Sequence, residues 1–174
     1  MWEKVFNALS NVPAALSAVV VVVLGALFNA HLNRRRDDRL RREDAKATAT
    51  ALRAELSAIR ATLLRNAEVL DNRPASETAA TVGPDLSHQV RVLPAILSKL
   101  TLLEGTTIQS VMDAYAVIEQ HSELVLLLGA IQQERGTRRQ IIIPATQANR
   151  VAELNRNTAN QIDQTLTLLT TFID

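Results

Sequence analysis

Three histidines, the adjacent carboxylates Asp37 and Asp38 and one arginine-rich loop are the groups in this chain best suited to act on a substrate. His31, His88 and His121 lie far apart in sequence, and none has the close spacing that brings ligands onto one metal ion. Glu119, His121 and Glu123 alternate, so on a helix they splay around the axis and do not converge. General acid–base work by a carboxylate pair needs burial to push one member toward neutrality. Asp37 and Asp38 instead sit in a charged, solvated stretch where arginines are their natural partners. The 5 glycines form no phosphate-cradling loop, no G-x-S-x-G elbow surrounds a serine, and 0 cysteines remove thiolate nucleophiles, thiolate metal sites and disulfides together. Arg135, Arg138 and Arg139 make a basic loop, but without the aromatic platform on which single strands stack. The expectation is a non-enzymatic protein, with no catalytic, cofactor-binding or metal-ligating residue.

Something must hold these residues, and composition bounds what it is. A chain of 174 residues, 47% of them hydrophobic, is enough for one ordinary domain with its own core. The net charge of +1 is unevenly placed. Residues 1–46 carry eight Lys/Arg against five Asp/Glu, whereas residues 47–174 carry eleven against thirteen. A nucleic-acid binder draws most of its affinity from neutralised phosphates and needs a basic footprint on the folded part. The larger part here is slightly acidic, so nucleic acid is not an expected partner.

The basic residues follow an apolar run. Pro13 to Leu32 are twenty residues without a formal charge, long enough as a helix to span the ~30 Å hydrocarbon core of a bilayer. Ser10 and Asn11 can cap its start, Pro13 fits a first turn, and Trp2 and Phe6 lie where an interfacial aromatic belt sits. A cleaved signal would show the reverse polarity, with a basic leader ahead of the apolar run. A buried core helix is the competing reading, since Gly25, Asn29 and His31 dilute the end of the run. Arg34, Arg35, Arg36 and Arg39 are placed to meet anionic lipid headgroups, each such contact worth about 1 kcal/mol. Positive residues after a single span mark its cytoplasmic side. The expected topology is therefore a single pass of a bacterial inner membrane, with residues 1–12 outside, 13–32 spanning and the rest cytoplasmic. One face of the span is small: Ala14, Ala18, Ala26 and Ala30 share an i, i+4 row interrupted by Val22, with Gly25 and Asn29 beside it. Small residues let helices approach closely in lipid and an Asn can hydrogen-bond across the interface. Ala14, Ala18, Gly25, Ala26 and Asn29 are thus the candidate surface for a homo-oligomer, and a narrow pore is one form it could take.

No Pro or Gly occurs from Arg34 to Arg73, which predicts one helix from the membrane to about Asp71, residues 33–71 forming its juxtamembrane and cytoplasmic part. Leu52, Leu56, Ile59, Leu63 and Leu70 keep heptad spacing, and Asn66 occupies the empty seam position. Leu56, Ile59, Leu63 and Asn66 are the candidate helical seam, Asn66 either fixing register or bonding a neighbouring loop. Residues 72–87, dense in Pro, Gly, Ser, Thr and Asp, read as a loop. Residues 88–174 read as the remainder of a bundle: a short helix between about Asp85 and Lys99 broken near Pro94, then a helix carrying Ile108, Val111, Tyr115, Ile118 and Val125. Leu124–Ile131, apolar all round, suits a buried helix segment. Arg135–Pro144 reads as a turn and a β-branched extended run, and a last helix from about Ala145 to Ile173 bears Val151, Leu154, Thr158, Ile162, Leu169 and Phe172 on one stripe. The fold class expected is all-α, an antiparallel helical bundle.

The arginine-rich helix together with LRAELSAIRATLLRNAEVL and ILSKLTLLEGTTIQSVMDAYAVIE resembles uncharacterised bacterial single-pass membrane-anchored helical proteins, at Asn66, Lys99, Leu102, Leu103, Val111 and Tyr115. The architecture is also similar to the pore-forming accessory proteins of type VI-B CRISPR systems, which carry a relative of the HEPN bundle. Active HEPN ribonucleases use an Arg followed at a short interval by His. RNTANQI, from Arg156 and Asn157, starts like that motif but holds no His, so the resemblance implies a bundle without the nuclease. Two functions follow: a membrane-anchored, homo-oligomeric scaffold, adaptor or pore component with an unidentified protein partner, or a membrane-tethered defence effector whose degenerate bundle is directed at nucleic acid. The absence of catalytic residues favours the first.

Overall fold

A computed structural model describes the backbone of residues 2–84, 86, 89–135 and 138–174, and the side chains of residues 22–83, 86, 89–133 and 140–174. The chain divides into two compact units, Met1–Glu43 and Asp44–Asp174. Helix α1 (Trp2–Asp71) supplies all of the first unit and opens the second. It ends where the sequence first offers a stop: the Asn72 N–H still donates to the Glu68 carbonyl at 3.0 Å, and Pro74 cannot continue the ladder.

In the first unit Val22, Val23, Leu24, Leu27, Phe28 and Leu32 are exposed, and a side chain added at Gly25 would meet nothing within 4 Å. Arg39 pairs with Glu43 one turn on, at 2.8 Å. Among the described residues no helix is long and apolar enough to cross a membrane. The side chains of residues 13–21, and so of Ala14 and Ala18, lie outside the described set, as do those of Trp2 and Phe6.

The second unit is mostly helical. Its helices are the last part of α1, the short α2 (Val92–Ile96), α3 (Gly105–Leu127) and α4 (Ala148–Ile173). From α1, Ala49, Leu52, Leu56, Ile59 and Leu63 form one core with Val111, Ala114, Tyr115 and Ile118 of α3 and Ala159, Ile162 and Leu169 of α4. The heptad seam read from sequence is thus buried within the chain's own bundle. Helices α1 and α4 run antiparallel, tied at three heights: Lys46 Nζ donates to the Ile173 carbonyl at 2.5 Å, Arg60 pairs with Asp163 at 2.6 Å, and Arg156 with Asp71 at 2.5 Å. Exposed ion pairs of this kind contribute little energy and serve mainly to set register.

Three stretches differ from the helical expectation. Residues 72–87 are not all loop, since Ala79–Pro84 form strand β1. It pairs antiparallel with β3 (Arg138–Pro144), which also pairs with β2 (Ile131–Arg135), giving a three-stranded sheet of order β1-β3-β2. Ala80 and Val82 on β1 face inward beside Ile143 and Ile141, and close over Ala67, Leu70, Val125, Val151 and Ala152. The helix expected from Asp85 to Lys99 is shorter: α2 precedes a 3-10 segment, Leu97–Leu102, and Pro94 sits in the first turn of α2, where its missing N–H costs nothing. Leu124–Ile131 is not a buried segment. Val125 is buried, but Leu124, Leu126, Leu127 and Ile131 are exposed. Helix α3 stops there because Gly129, at φ +84°, lets its N–H reach the Leu126 carbonyl at 3.0 Å and the Ala130 N–H reach Val125 at 3.3 Å, a Schellman cap.

Candidate functional site

A charged residue inside an apolar stripe must find partners or stay outside. Glu55 lies between Leu52 and Ile59 on the buried face of α1 and is only 8% exposed. Its Oε1 accepts the backbone N–H groups of Arg91 at 2.5 Å and Val92 at 2.6 Å, which are orphan donors at the start of α2. Its Oε2 accepts the Tyr115 hydroxyl of α3. Burial, then the hydrogen bond and charge of Glu55, push the Tyr115 hydroxyl far above its ordinary range, so the phenol stays protonated and donating. One carboxylate therefore fixes both α2 and the tyrosine ring.

Between these two fixed walls is a cleft of about 560 Å³, lined by Val90 and Leu93 on one side and by Met112, Tyr115, Ala116, Ile118 and Leu126 of α3 on the other. Glu119, Ser122, Glu123 and Gln132 complete the lining. Among the described residues neither Glu119 nor Glu123 has a hydrogen bond or ion pair. The volume falls within the ~300–1,000 Å³ typical of small-molecule sites, and an apolar wall with a few polar groups is their usual composition. A second concavity, about 490 Å³, runs along α3 and α4 past Gln109, Asp113, Gln161 and Gln164. Most of its lining residues are polar in type, and it is bridged by the Ser110–Thr165 hydroxyl pair at 2.8 Å.

A third polar group lies where the sheet meets the helices. His121 Nε2 and Asn155 Oδ1 are 2.8 Å apart and both residues are buried, while Asn66 Oδ1 accepts the Gly83 N–H of β1 at 3.1 Å. A side chain at position 83 would come within 3.0 Å of that oxygen, so glycine is needed for the close approach. The three side chains line a void of about 10 Å³, and Asn155 Nδ2 has no protein partner among the described residues. A void of this size is at the lower limit for one water molecule.

The sequence-predicted residues do not assemble into one site. Gly25, Ala26, Asn29, Arg34, Arg35, Arg36 and Arg39 are exposed on the first unit; Leu56, Ile59, Leu63 and Asn66 are buried in the second. His31 is exposed, His121 turns inward, and Glu119 and Glu123 turn outward to the cleft. His88 and the side chains of Arg135, Arg138 and Arg139 lie outside the described residues. Arg156 is engaged with Asp71. Sequence reasoning missed Glu55, although an acid within the 52–59 apolar stripe and the chain's 1 tyrosine were its signals. Comparison with protein-family models, curated proteins and solved structures finds no match to this chain.

Proposed function

We propose that this chain is a non-enzymatic, membrane-anchored helical protein that self-associates as a scaffold, with its bundle in the bacterial cytoplasm. The observation that carries the reading is the exposed run in the first unit. At about 100° per residue, Val23, Leu24, Leu27, Phe28 and Leu32 spread over about half of the α1 circumference, and all of them are exposed. An apolar patch that wide suits a continuous apolar medium better than a single protein groove. The uncharged stretch from Pro13 to Leu32 and the arginines after it supply the length and the polarity of an anchor.

The remaining arc of the same helix carries Gly25, Ala26 and Asn29, with Val22 among them. A helical glycine costs roughly 1 kcal/mol relative to alanine, and among the described residues nothing lies within 4 Å of a side chain added at position 25. Close approach of a second copy is the use such a face serves in lipid. The decisive experiment is alkaline carbonate extraction of membranes from cells making the full chain, combined with reporter fusions after Asp174. Retention in the membrane with a cytoplasmic C-terminus is expected. Release into the supernatant, or a reporter active on the outer side, would sink the reading.

A further inference from the structure

The cleft beside Tyr115 is built rather than incidental, because both of its walls hang from one buried carboxylate. Glu55 grips the start of α2 through the Arg91 and Val92 N–H groups and grips α3 through the Tyr115 hydroxyl, so neither wall is free to collapse onto the other. The walls are apolar and aromatic, and Met112 adds a soft thioether. Glu119 and Glu123 stand one turn apart among the lining side chains, with no Lys, Arg or His among the described ones. An anion would meet the negative charges of both acids. A neutral apolar molecule would leave them unused.

We infer that this cleft binds a small organic cation with an apolar or aromatic body, the body lying against Leu93, Met112 and Tyr115 and the cationic head meeting Glu119 and Glu123. The face of a tyrosine ring attracts a cation as well, and aromatic sites commonly take quaternary ammonium heads, which carry no hydrogen to donate. The inference concerns the second unit alone and stands whether or not the first unit enters a membrane.

The chain's 2 methionines, Met1 and Met112, make the test direct. With methyl-¹³C methionine in the full-length protein in detergent, benzyltrimethylammonium is titrated in, and 3-phenylpropanoate, similar in size and opposite in charge, serves as the control. The ammonium is expected to shift Met112 saturably and leave Met1 in place, while the carboxylate shifts neither. Replacing both acids, Glu119→Gln with Glu123→Gln, is expected to weaken the ammonium roughly two- to thirtyfold, since each exposed charge contact is worth about 0.2–1 kcal/mol. Ala116→Trp, which fills the cleft from an exposed α3 position, is expected to abolish the shift. Thermal melts of both variants establish that the bundle is intact. No shift at Met112, an equal shift with the carboxylate, or undiminished binding to a folded Ala116→Trp variant would each overturn the inference.

Discussion

Helix α1 places two kinds of apolar surface on one uninterrupted segment, and they differ in where the burial comes from. From Ala45 to Leu70 most of the large apolar side chains fall on a single stripe, Leu64 and Val69 lying off it: Leu52, Leu56, Ile59 and Leu63 are 0% exposed against α3 and α4. From Val22 to Leu32 they are distributed broadly around the axis and are 47–70% exposed. The stretch from Val22 to Leu32 is the richer in large apolar residues and carries no formal charge, and its apolar side chains lack the narrow periodicity of the stretch from Ala45 to Leu70. A narrow stripe is satisfied by helices of the same chain, whereas a wide apolar surface is satisfied only by something outside it.

The strongest way to break this contrast is to place the same charge in each region. Leu56→Asp should abolish the cooperative unfolding transition of the bundle. Losing a buried leucine costs about 2–5 kcal/mol, an unpaired buried carboxylate costs more, and a domain has only about 5–15 kcal/mol to lose. Leu27→Asp should leave that transition within about 0.5 kcal/mol, because Leu27 is exposed and is not one of the core residues. It should instead weaken membrane insertion, by about 2.5–3.5 kcal/mol if position 27 lies near the bilayer centre. Circular dichroism melts and vesicle flotation on the two variants give the readouts; a destabilised bundle in Leu27→Asp would merge the two regions into one.

The same contrast explains what could be read from the sequence. The end of α1 near Asp71, the 52–63 seam and the stripe of α4 follow from strong helical periodicity, and they appear where expected. Strand β1 did not, because Ala79–Pro84 holds one large apolar residue, Val82, and owes its conformation to pairing with Ile141 and Ile143 some sixty residues away. The exposed Leu124–Ile131 stretch was misleading for the opposite reason: apolar content without period says nothing about which side is covered. Glu55, His121 and Asn155 were hidden because burial of a polar group depends on partners from other elements, here the N–H groups of Arg91 and Val92, Tyr115, and each other.

A second comparison sets the small face of the first unit against the seam of the second. Gly25→Leu with Ala26→Leu should overfill a close helix–helix contact, and overpacking of this kind typically costs 1–3 kcal/mol. The oligomer population measured by mass photometry in nanodiscs should therefore fall by roughly tenfold or more. Asn66→Leu acts elsewhere: it removes the acceptor of the Gly83 N–H and should cost about 1–3 kcal/mol of bundle stability while leaving the stoichiometry unchanged. A wild-type monomer at micromolar concentration, or a stoichiometry that follows Asn66 and ignores Gly25, would reverse the assignment of the two faces.

The regions also differ in what a shifted protonation equilibrium does. Arg39, fully exposed, has its pKa raised by the Glu43 hydrogen bond and charge, but a guanidinium is charged at working pH in any case and its titration leaves stability untouched. Tyr115 has its pKa raised by burial and then by Glu55, so the folded state keeps a proton that the unfolded state releases near pH 10. Stability from this group is complete below pH 10 and is lost as pH rises beyond it, with a slope of up to about 1.4 kcal/mol per pH unit. Because Tyr115 is the chain's 1 tyrosine, the phenolate absorbance band reports it alone. That band should appear only together with loss of helical ellipticity, and the alkaline slope should be shallower in Tyr115→Phe. Phenolate formed near pH 10 in a fully helical protein would show that Glu55 does not hold the hydroxyl.

The smallest effect expected is at Arg156, the residue with which the chain most nearly approaches a ribonuclease motif. In the bundle its guanidinium lies 2.5 Å from Asp71 at the end of α1, with both side chains 45% exposed. That geometry gives the arginine a local task, aligning the C-terminal end of α1 with α4, one of three such ties along the pair together with Lys46–Ile173 and Arg60–Asp163. Arg156→Leu should therefore cost only about 0.2–1 kcal/mol, screened further by salt, and Asp71→Leu should cost about the same. If the two residues act as a pair, the double variant should be no less stable than either single one, because each single change already removes the whole interaction. Incubation of the purified protein with RNA should leave the RNA intact in all four forms. RNA turnover by the wild type that disappears in Arg156→Leu but survives in Asp71→Leu would show that the guanidinium does chemistry rather than alignment, and would move the functional centre from the first unit's exposed helix to the second unit's bundle.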